Sequence, residues 1–426
     1  MDMNAAEPSG AYGPAVRWRS LEWWGAGLCL FLLSGAIFPL LLTGGATSVD
    51  DGSRSLLRVL PLPVYAISAC LLMRHPKQLL AAVRRNLPLL MLVALPFLSV
   101  LWSIGPSATL RRAIGLLGTM FFSYLLATRF SPSQLLLLIV GTLAPCMVLS
   151  ILLMGAVPHL GIMADGAARG IFIHKNVLGW AAALSTVGAA MMLIDRSHGL
   201  RLLGFLSLPA SVVCLLASKS MTGLLSTTAA VGLVWFFLAL GKSRGTSRMV
   251  LVIVFLQVVA LVLLALGEFL VPLLEALGKD ATLTGRVPLW ALVDEMISRK
   301  IAVGYGYAAF WTPGNSDAWR IWEAIGWQAP HSHNGYREVL LGLGLVGFLT
   351  LATVLVRAVW QGAVLYCTRP WEGWLWLNVF IGMYLVMNLT EAIFLVQNDL
   401  FWTLFTAVVL MISLRYPERA ADGAYG

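Results

Sequence analysis

The sequence predicts an all-α, polytopic membrane protein with about twelve transmembrane helices and one long extracytoplasmic loop. Hydrophobic residues fill 59% of the 426 positions, charged residues fill only 12%, and the mean hydropathy is +0.83. Soluble domains carry about 25% charged residues, so this composition excludes a soluble globular protein. The net charge of +9 then reflects basic cytoplasmic loops and contact with anionic lipid, and it does not indicate nucleic acid as a partner.

Apolar runs recur along the chain, and crossing a bilayer takes about 20 such residues per helix. Predicted spans lie at 24–43, 56–73, 87–104, 112–127, 135–155, 176–194, 202–218, 223–240, 250–273, 335–356, 373–391 and 399–414. They divide the chain into a cytoplasmic tail (1–23), nine helices (24–273), a long loop (274–334), three helices (335–414) and a second tail (415–426). The N-terminus lacks the pattern of a cleavable signal, so the first span is expected to persist.

The distribution of Lys and Arg predicts that both termini are cytoplasmic. With the N-terminus inside, 16 of the 29 basic residues fall in cytoplasmic segments, whereas the short outer loops hold seven. Six more lie in or beside the loop 274–334, and long loops contribute little to orientation. We therefore expect this loop on the extracytoplasmic side of a bacterial cytoplasmic membrane.

The stretch QAPHSHNGYREVLLGLGLVG, residues 328–347, closes the long loop and begins the tenth predicted span. Imidazole titrates near neutrality, so a neutral His331 or His333 can take a proton from an attacking hydroxyl. His333 and Arg337 have i, i+4 spacing and would share a helix end with Asn334. A helix-start cluster, with Asn334 as N-cap, explains the pattern equally well.

Cations gather at the outer membrane surface in this topology, where few carboxylates are available to pair with them. The expected phosphate-binding candidates are Arg111, Arg112, Arg169, Lys175, Lys219, Arg286, Arg320 and Arg337. Arginine matches phosphate with its planar fork of donors. For each residue taken singly, anchoring to lipid headgroups is the alternative explanation.

No cofactor or metal is expected from sequence motifs. The chain has no HExxH, GxSxG or DxD, and Phe236 replaces the first glycine that a P-loop ending at Lys242 would need. Gly342, Gly344 and Gly347 spell GxGxxG inside an apolar run, where small residues permit close helix packing. A dinucleotide site would need a preceding strand.

Four segments in order resemble the bacterial O-antigen ligase and Wzy-type polysaccharide polymerase superfamily. They are LPFLSVLWSIGPSATLRRAIGLL (95–117), RGIFIHKNVLG (169–179), LTGRVPLW (283–290) and HSHNGYREVLLGLGLVG (331–347). The resemblance covers roughly residues 87–400. The HKN form of the second segment, SKSMTG at 218–223 and NLTEAIFLVQND at 388–399 look most similar to ExoQ-like exopolysaccharide polymerases.

This resemblance implies a metal-independent glycosyltransferase of the membrane-embedded C type, with a polyprenyl-diphosphate-linked oligosaccharide as donor and a glycan as acceptor. Arg286 would bind the donor diphosphate and His333 would activate the acceptor hydroxyl. Substrate-binding roles would fall to Arg111, Arg112, Arg169, Lys175, Asn176, Lys219, His331 and Asn334. Ligase relatives often carry an arginine where this chain has Lys219. A chain-length regulator and a flippase would act beside the enzyme in the membrane.

Two other functions remain open at this stage. An O-antigen ligase, which joins the same kind of donor to lipid A core or another acceptor, shares the leaving group and differs only in the acceptor. A polysaccharide transporter or flippase would also have many spans and a cationic cavity. Many transporters show inverted repeats with paired broken helices, and this sequence has no matching halves.

Overall fold

A computed structural model of the chain describes residues 16–45, 57, 59–194, 201–276 and 286–416. These residues form helices, with no strands among them and two isolated backbone bridges, Ala36 to Phe172 and Ile162 to Ala168. The all-α prediction is therefore confirmed for the described part of the chain. The outer ends of the two predicted tails and residues 277–285 of the predicted loop lie outside the described residues.

Every predicted apolar run overlaps at least one described helix, and residues 56 and 58 of the second run lie outside the described residues. In chain order the helices are α1 (Val16–Leu33), α2 (Phe38–Thr43), α3 (Leu62–Leu72), α4 (Pro76–Arg85), α5 (Leu87–Leu98), α6 (Pro106–Arg129), α7 (Pro132–Ala156), α8 (Pro158–Gly161), α9 (Lys175–Ile194), α10 (Arg201–Ala217), α11 (Met221–Lys242), α12 (Gly245–Ala276), α13 (Arg286–Arg299), α14 (Ser316–Ile325), α15 (Gly335–Thr368), α16 (Trp374–Thr390) and α17 (Leu400–Arg415). The first predicted span, 24–43, is not continuous, because Gly35 and Ile37 adopt positive φ angles between α1 and α2.

Six of the described helices, α6, α7, α9, α11, α12 and α15, are long and apolar enough to cross a membrane. The pair α4 and α5, bent by 90°, becomes a seventh if it counts as one span. Five shorter apolar helices, α1, α3, α10, α16 and α17, accompany them. The chain thus has the helices of a polytopic membrane protein, and the number of about twelve spans stays a prediction.

Helices α16 and α17 form the centre of the bundle. Trp374 and Tyr384 on α16 and Trp402 and Phe405 on α17 have no exposed surface. Tyr384 stacks on Phe405 with the ring centroids 4.7 Å apart. Helix α12 instead exposes apolar side chains such as Leu256 and Leu261, as expected for a helix that faces lipid.

The described part of the predicted long loop has a hydrophobic core of its own. Helices α13 and α14 contribute Leu289, Val293, Ile321 and Trp322, and α15 adds Leu341. Arg337 on α15 also forms two hydrogen bonds with Asp294 on α13, at 2.7 and 2.9 Å. The loop is therefore a small folded unit on one end of the bundle, joined to α15.

Helix α15 is interrupted at Gly344, where φ is 62° and ψ is −160°. Residues 301–306, termed the loop strap, lie against this interruption. Their main chain pairs with that of α15, because Tyr305 N–H donates to Leu341 O at 2.9 Å and Leu345 N–H donates to Ile301 O at 2.8 Å. A Cβ on Gly344 would lie 2.4 Å from the Ala302 carbonyl. The glycines thus admit a crossing main chain, where close helix packing was expected, and α15 runs past the predicted end of the tenth span to Thr368.

Candidate active site

A buried carboxylate, Glu391, joins the two residues for which the sequence predicts catalytic roles. Arg286 begins α13, His333 lies just before α15, and Glu391 follows α16 directly. Arg286 Nη2 lies 2.8 Å from Glu391 Oε1, and His333 Nδ1 lies 3.3 Å from Glu391 Oε2. Glu391 is 1% exposed. The structure therefore brings Arg286 and His333 together around a third residue.

The surroundings of Glu391 favour its ionised form. Burial alone would raise the pKa of this carboxyl, but the hydrogen bond with His333 and the charge of Arg286 hold it below its usual value. The Thr222 hydroxyl on α11 adds a contact with Oε1 at 3.4 Å. A buried charge is tolerated when charged and hydrogen-bonded partners surround it, so the three residues form a compensated set.

His333 is held in a backbone conformation that few non-glycine residues adopt. Its φ is 51°, and such conformations cost about 1–3 kcal/mol and persist only when neighbours fix them. The His333 amide donates to His331 Nδ1 at 3.1 Å, and the two rings lie 4.2 Å apart. Trp327 also lies beside His333, with the centroids of the two rings 5.7 Å apart. The imidazole is thus fixed in place beside Glu391.

The pKa of His331 is lower than that of an ordinary histidine. Burial, followed by the proximity of His333, lowers the pKa of His331 to about 3. The ring is therefore neutral at physiological pH, and its Nδ1 accepts the hydrogen bond from the His333 backbone. This geometry gives His331 a positioning contact with His333, and its predicted substrate-binding role stays a prediction.

Asn334 is the N-cap of α15, and its Oδ1 accepts from the Arg337 amide at 3.0 Å. Its Nδ2 donates to Leu389 O near the end of α16, which fixes this helix start beside Glu391. The predicted i, i+4 pair of His333 and Arg337 on one helix is wrong, because α15 begins only at Gly335. Arg337 turns to Asp294, whereas His333 turns to Glu391.

Buried polar contacts hold the segment before α15. The Trp290 indole donates to Ser332 O at 2.9 Å, and the Ser332 amide donates to Glu338 Oε2 at 2.8 Å. Glu338 Oε2 also accepts from the Trp311 indole at 3.2 Å. These bonds connect α13, the 307–312 turn and α15. The histidine segment therefore depends on the folded loop for its shape.

A second group of predicted residues gathers around Asp165. Lys175, at the start of α9, pairs with Asp165, whose pKa it lowers through their hydrogen bond. The positive charge of Lys219 also acts on Asp165. His174 connects this group with the first, because burial and Lys175 lower its pKa while Glu391 and Asp165 oppose that shift. Lys175 and Glu391 thus both act on His174, and Lys219 joins this group through Asp165.

The remaining predicted residues have varied surroundings. Arg169 is buried and donates to Leu160 O at 2.7 Å and to Gly45 O at 2.5 Å, so it ties loops together. Asn176 is half-buried in the first turn of α9. Arg111 is exposed on α6, whereas its neighbour Arg112 donates to Ala308 O. The structure does not bring Arg169 or Arg111 to Glu391.

A partly open cavity of about 310 Å³ adjoins the site. Glu391 and His331 line one part of it, and Arg112 lines another. Its walls come from the segment after α16, the first turns of α15, the 307–311 turn and Trp180 of α9. The buried carboxylate is therefore reachable from a space that a small molecule can occupy.

The same residues have the atoms of a possible metal site. His331, His333 and Glu391 offer ligand atoms within 4.8 Å of one another. The guanidinium of Arg286 already lies on Glu391, and a fixed positive charge there opposes the binding of a metal cation. The arrangement suits a negatively charged group near Arg286 better than a second cation.

Sequence reasoning did not assign a role to Glu391. A signal existed, because Glu391 is the first of two acids in NLTEAIFLVQND, between two apolar runs, and ionisable residues in such places mark functional sites by default. Arg286 and His333 lie 105 and 58 positions away from it. Only the folded chain shows that the three residues meet.

The fold and site define a class: a polytopic helical membrane protein with a buried Arg–Glu–His set beneath a folded loop. Residues 205–352 match the family model described as O-antigen ligase. The chain is also 35% identical over 272 residues to the exopolysaccharide production protein ExoQ of Rhizobium meliloti (strain 1021), a match that covers 61% of each protein. Both comparisons support the resemblance to O-antigen ligases and to ExoQ-like proteins that the motifs predicted.

The two comparisons differ in how much of the chain they cover. The family model includes Arg286, His331 and His333 but ends before Glu391. The predicted motifs at 95–117 and 169–179 also precede the matched range. The match with the R. meliloti protein spans about three fifths of that protein's length, so activity and substrates are inferred below from the site.

Proposed function

We propose that this protein is a membrane-embedded C-type glycosyltransferase that polymerises polyprenyl-diphosphate-linked repeat units into an exopolysaccharide. It would have about twelve spans and work on the outer face of the bacterial cytoplasmic membrane. The observation that carries the proposal is the contact of Glu391 with both Arg286 and His333. The printed name of the R. meliloti relative, an exopolysaccharide production protein, favours polymerisation.

In the proposed reaction, the acceptor hydroxyl oxygen attacks the anomeric carbon of the donor sugar. A new C–O bond forms, the bond from that carbon to the diphosphate oxygen breaks, and the polyprenyl diphosphate leaves with the electron pair. The hydroxyl proton passes to His333. With Glu391 accepting from Nδ1–H, the His333 tautomer leaves Nε2 as the proton acceptor. Orientation of a base by a buried carboxylate is the logic of catalytic triads.

Arg286 supplies the positive charge that the leaving group needs. A guanidinium offers five N–H donors, and one of them, at Nη2, serves Glu391. Donors fixed in advance where negative charge develops are often the largest contribution to catalysis. Lys175 and Lys219, which gather around Asp165, would hold the rest of the diphosphate near the headgroup level.

The proposed reaction needs no metal ion, because Arg286 neutralises the leaving group in place of a divalent cation. Lipid-linked donor and glycan acceptor would be the substrates, with a flippase that delivers the donor and a chain-length regulator as partners. Washing membranes with EDTA should leave the rate unchanged, and adding Mg²⁺ or Zn²⁺ should not raise it. A rate that depends on added metal would instead assign His331, His333 and Glu391 to a metal centre.

An O-antigen ligase is the second candidate, favoured by the description of the matching family model. The donor, leaving group and catalytic residues would be the same, and only the acceptor would change. Incubation of membranes with lipid-linked repeats separates the two functions. A polymerase makes longer lipid-linked chains, whereas a ligase makes none until lipid A core or another acceptor is present.

The test uses His333→Ala and Arg286→Ala in cells that depend on this gene for polymer. Both variants should accumulate single lipid-linked repeats at wild-type protein level, because the base or the charge at the diphosphate is lost. Arg286→Lys should recover only part of the activity, since a point charge replaces a bidentate fork. His331→Ala should lose less than His333→Ala. Wild-type chain length in His333→Ala membranes would disprove the base assignment.

A further inference from the structure

The 310 Å³ cavity beside Glu391 has walls of aromatic rings and planar polar groups. Trp180, Tyr307 and Trp311 contribute rings, while Glu338 and Gln397 contribute a carboxyl and an amide. Sugar rings present C–H groups on their faces and hydroxyls on their edges. An aromatic face suits the former, and side chains that accept and donate hydrogen bonds suit the latter.

The charged groups that line this cavity distinguish between its two possible occupants, a diphosphate and an uncharged sugar. Its lining includes three carboxyl groups, Glu338, Glu391 and Asp399, against one cation, Arg112. An ionised diphosphate would find no free cation in this lining, because Arg112 already donates to Ala308 O and Arg286 does not line the cavity, and a charge without a partner is costly to bury. An uncharged sugar meets no such penalty. The lining therefore favours a sugar over the diphosphate end of the donor.

Polar groups remain available inside the cavity for a ligand. Glu338 is enclosed by protein, yet part of its surface stays accessible. Its Oε2 accepts from Trp311 and Ser332. The Tyr307 hydroxyl donates to Leu395 O and also lies 3.2 Å from Gln397 Oε1, so the Gln397 amide is held beside Tyr307. Both residues are fixed by protein contacts before any ligand arrives.

The cavity leads to the catalytic residues proposed above. Glu391 lines it and contacts His333 Nδ1, and His331 lines it with its ring 4.2 Å from that of His333. Small-molecule pockets span about 300–1,000 Å³, so this one is at the lower limit and suits one sugar residue. Its occupant would lie beside the base that receives the acceptor proton.

Resting on the proposed function, we infer that this cavity binds the terminal sugar of the acceptor glycan, with Trp180 stacking on the ring and Gln397 and Glu338 bonding its hydroxyls. The donor diphosphate lies outside it, on Arg286 and the Lys175–Lys219 side. Acceptor specificity is then set by Trp180, Gln397 and Glu338, separately from recognition of the lipid carrier.

The experiment compares Trp180→Leu and Gln397→Leu with wild type, as full-length protein in lipid nanodiscs. Trp319→Leu is the matched control, because Trp319 belongs to the folded loop and is 41% exposed but does not line the cavity. The probes are oligosaccharides from partial depolymerisation of the host polysaccharide, and undecaprenyl diphosphate. Calorimetry measures binding of each, and transfer assays measure the two KM values.

Both cavity variants should weaken oligosaccharide binding and raise the acceptor KM by roughly three- to tenfold, the loss of about one hydrogen bond or stacking contact. Binding of undecaprenyl diphosphate and the donor KM should stay unchanged, as should all values for Trp319→Leu. Weakened undecaprenyl diphosphate binding, or unchanged oligosaccharide binding in both variants, would overturn the inference. Either result leaves the proposed function intact if wild type still elongates chains; absence of any transfer by wild type contradicts the function itself.

Discussion

A carboxylate that is 1% exposed depends on its partners, and Glu391 has two, the guanidinium of Arg286 and the imidazole of His333. The dependence is mutual. Removing the charge of Glu391 leaves Arg286, itself 19% exposed, without its ion-pair partner, and it also frees the orientation of the His333 ring. Removing one partner of a buried ion pair lowers the free energy of unfolding by about 3–5 kcal/mol in other proteins. Glu391 therefore supports both the stability and the chemistry of the site.

We expect Glu391→Gln to lower kcat by roughly 10²–10⁴-fold, the range for loss of an effective general base, because the amide no longer orients the His333 tautomer. Glu391→Asp should keep part of the activity. The control is Glu22→Gln, since Glu22 forms a comparable buried pair with Arg129, at 3.0 and 3.1 Å, away from the site. That variant should lose stability but not activity per folded molecule. Equal kcat in Glu391→Gln and Glu22→Gln would contradict the catalytic role.

His331 gives a prediction about acid stability. The folded protein holds the pKa of His331 at about 3, while an unfolded histidine titrates near about 6.5. Between these values the unfolded state binds a proton that the folded state does not, so stability falls as the pH falls. When the pH is lowered from 7.5 to about 4.5, the melting temperature of His331→Asn should therefore fall less than that of wild type. The control is His159→Asn, at an exposed position, whose melting temperature should fall as much as that of wild type. If the melting temperature of His331→Asn also falls as much as that of wild type, the lowered pKa of His331 is refuted.

At the residue scale, the sequence identified side chains whose chemistry fits a motif but not the contacts between them. Arg286 and His333 could be named as candidates because LTGRVPLW (283–290) and HSHN (331–334) are local patterns. Their link through Glu391 could not, since it depends on how α16 ends relative to α13 and α15. The same limit applies to Arg169, which was expected at substrate and instead bonds Leu160 and Gly45.

At the element scale, the break in α15 determines where the folded loop attaches. The loop strap lies in the gap at Gly344, and its main chain closes hydrogen bonds that the interrupted helix leaves open. Buried backbone groups need such partners. The first two turns of α15, which carry Glu338 and follow Asn334, are therefore fixed to the loop as well as to the bundle.

Gly344→Ala should detach the loop strap from α15. The new Cβ would lie 2.4 Å from the Ala302 carbonyl, and the φ of 62° is strained for alanine. We expect loss of polymer together with faster proteolysis and hydrogen exchange of residues 286–334. Gly141→Ala is the control, because nothing lies within 4 Å of its added Cβ on α7 and alanine is the better helix former. Wild-type exchange of the loop in Gly344→Ala would disprove the attachment.

Hydropathy predicted the positions of the helices well, because burial in lipid or core demands apolar residues whichever neighbour a helix has. It did not predict interruptions. A glycine in an apolar run has the same composition whether it packs against another helix or admits a crossing main chain, so Gly344 gave no warning of the break. The gap between α1 and α2 was missed for the same reason, since Gly35 and Ile37 lie within a continuous apolar run.

At the scale of the whole molecule, the residues proposed as catalytic and the folded loop lie at one end of the bundle. The topology predicted from Lys and Arg places that end outside. Arg84 and Arg85, at the end of α4, and Arg415, at the end of α17, lie at the opposite end, which the same prediction places in the cytoplasm; Arg85 donates to Leu414 O. Under the proposed function, this arrangement would let the lipid carrier stay in the bilayer while its sugar reaches the loop.

Cysteine labelling tests this orientation. In a background with Cys70→Ser and Cys367→Ser, Ser316→Cys in the loop should react with a membrane-impermeant maleimide in spheroplasts. Gln78→Cys on α4 should react only after the membrane is permeabilised. Both positions are exposed, so accessibility reports the side of the membrane. The reverse pattern would invert the topology and place the site in the cytoplasm.

The union of the loop strap with α15 consists of main-chain hydrogen bonds and glycines, and such bonds do not depend on which side chains the strap carries. Side chains on the outward-facing surface of the loop can therefore change while the attachment is kept, provided that the glycines stay and that Arg286 and His333 keep their contacts with Glu391. The attachment thus separates the part of the loop that is free to vary in sequence from the part that the site requires.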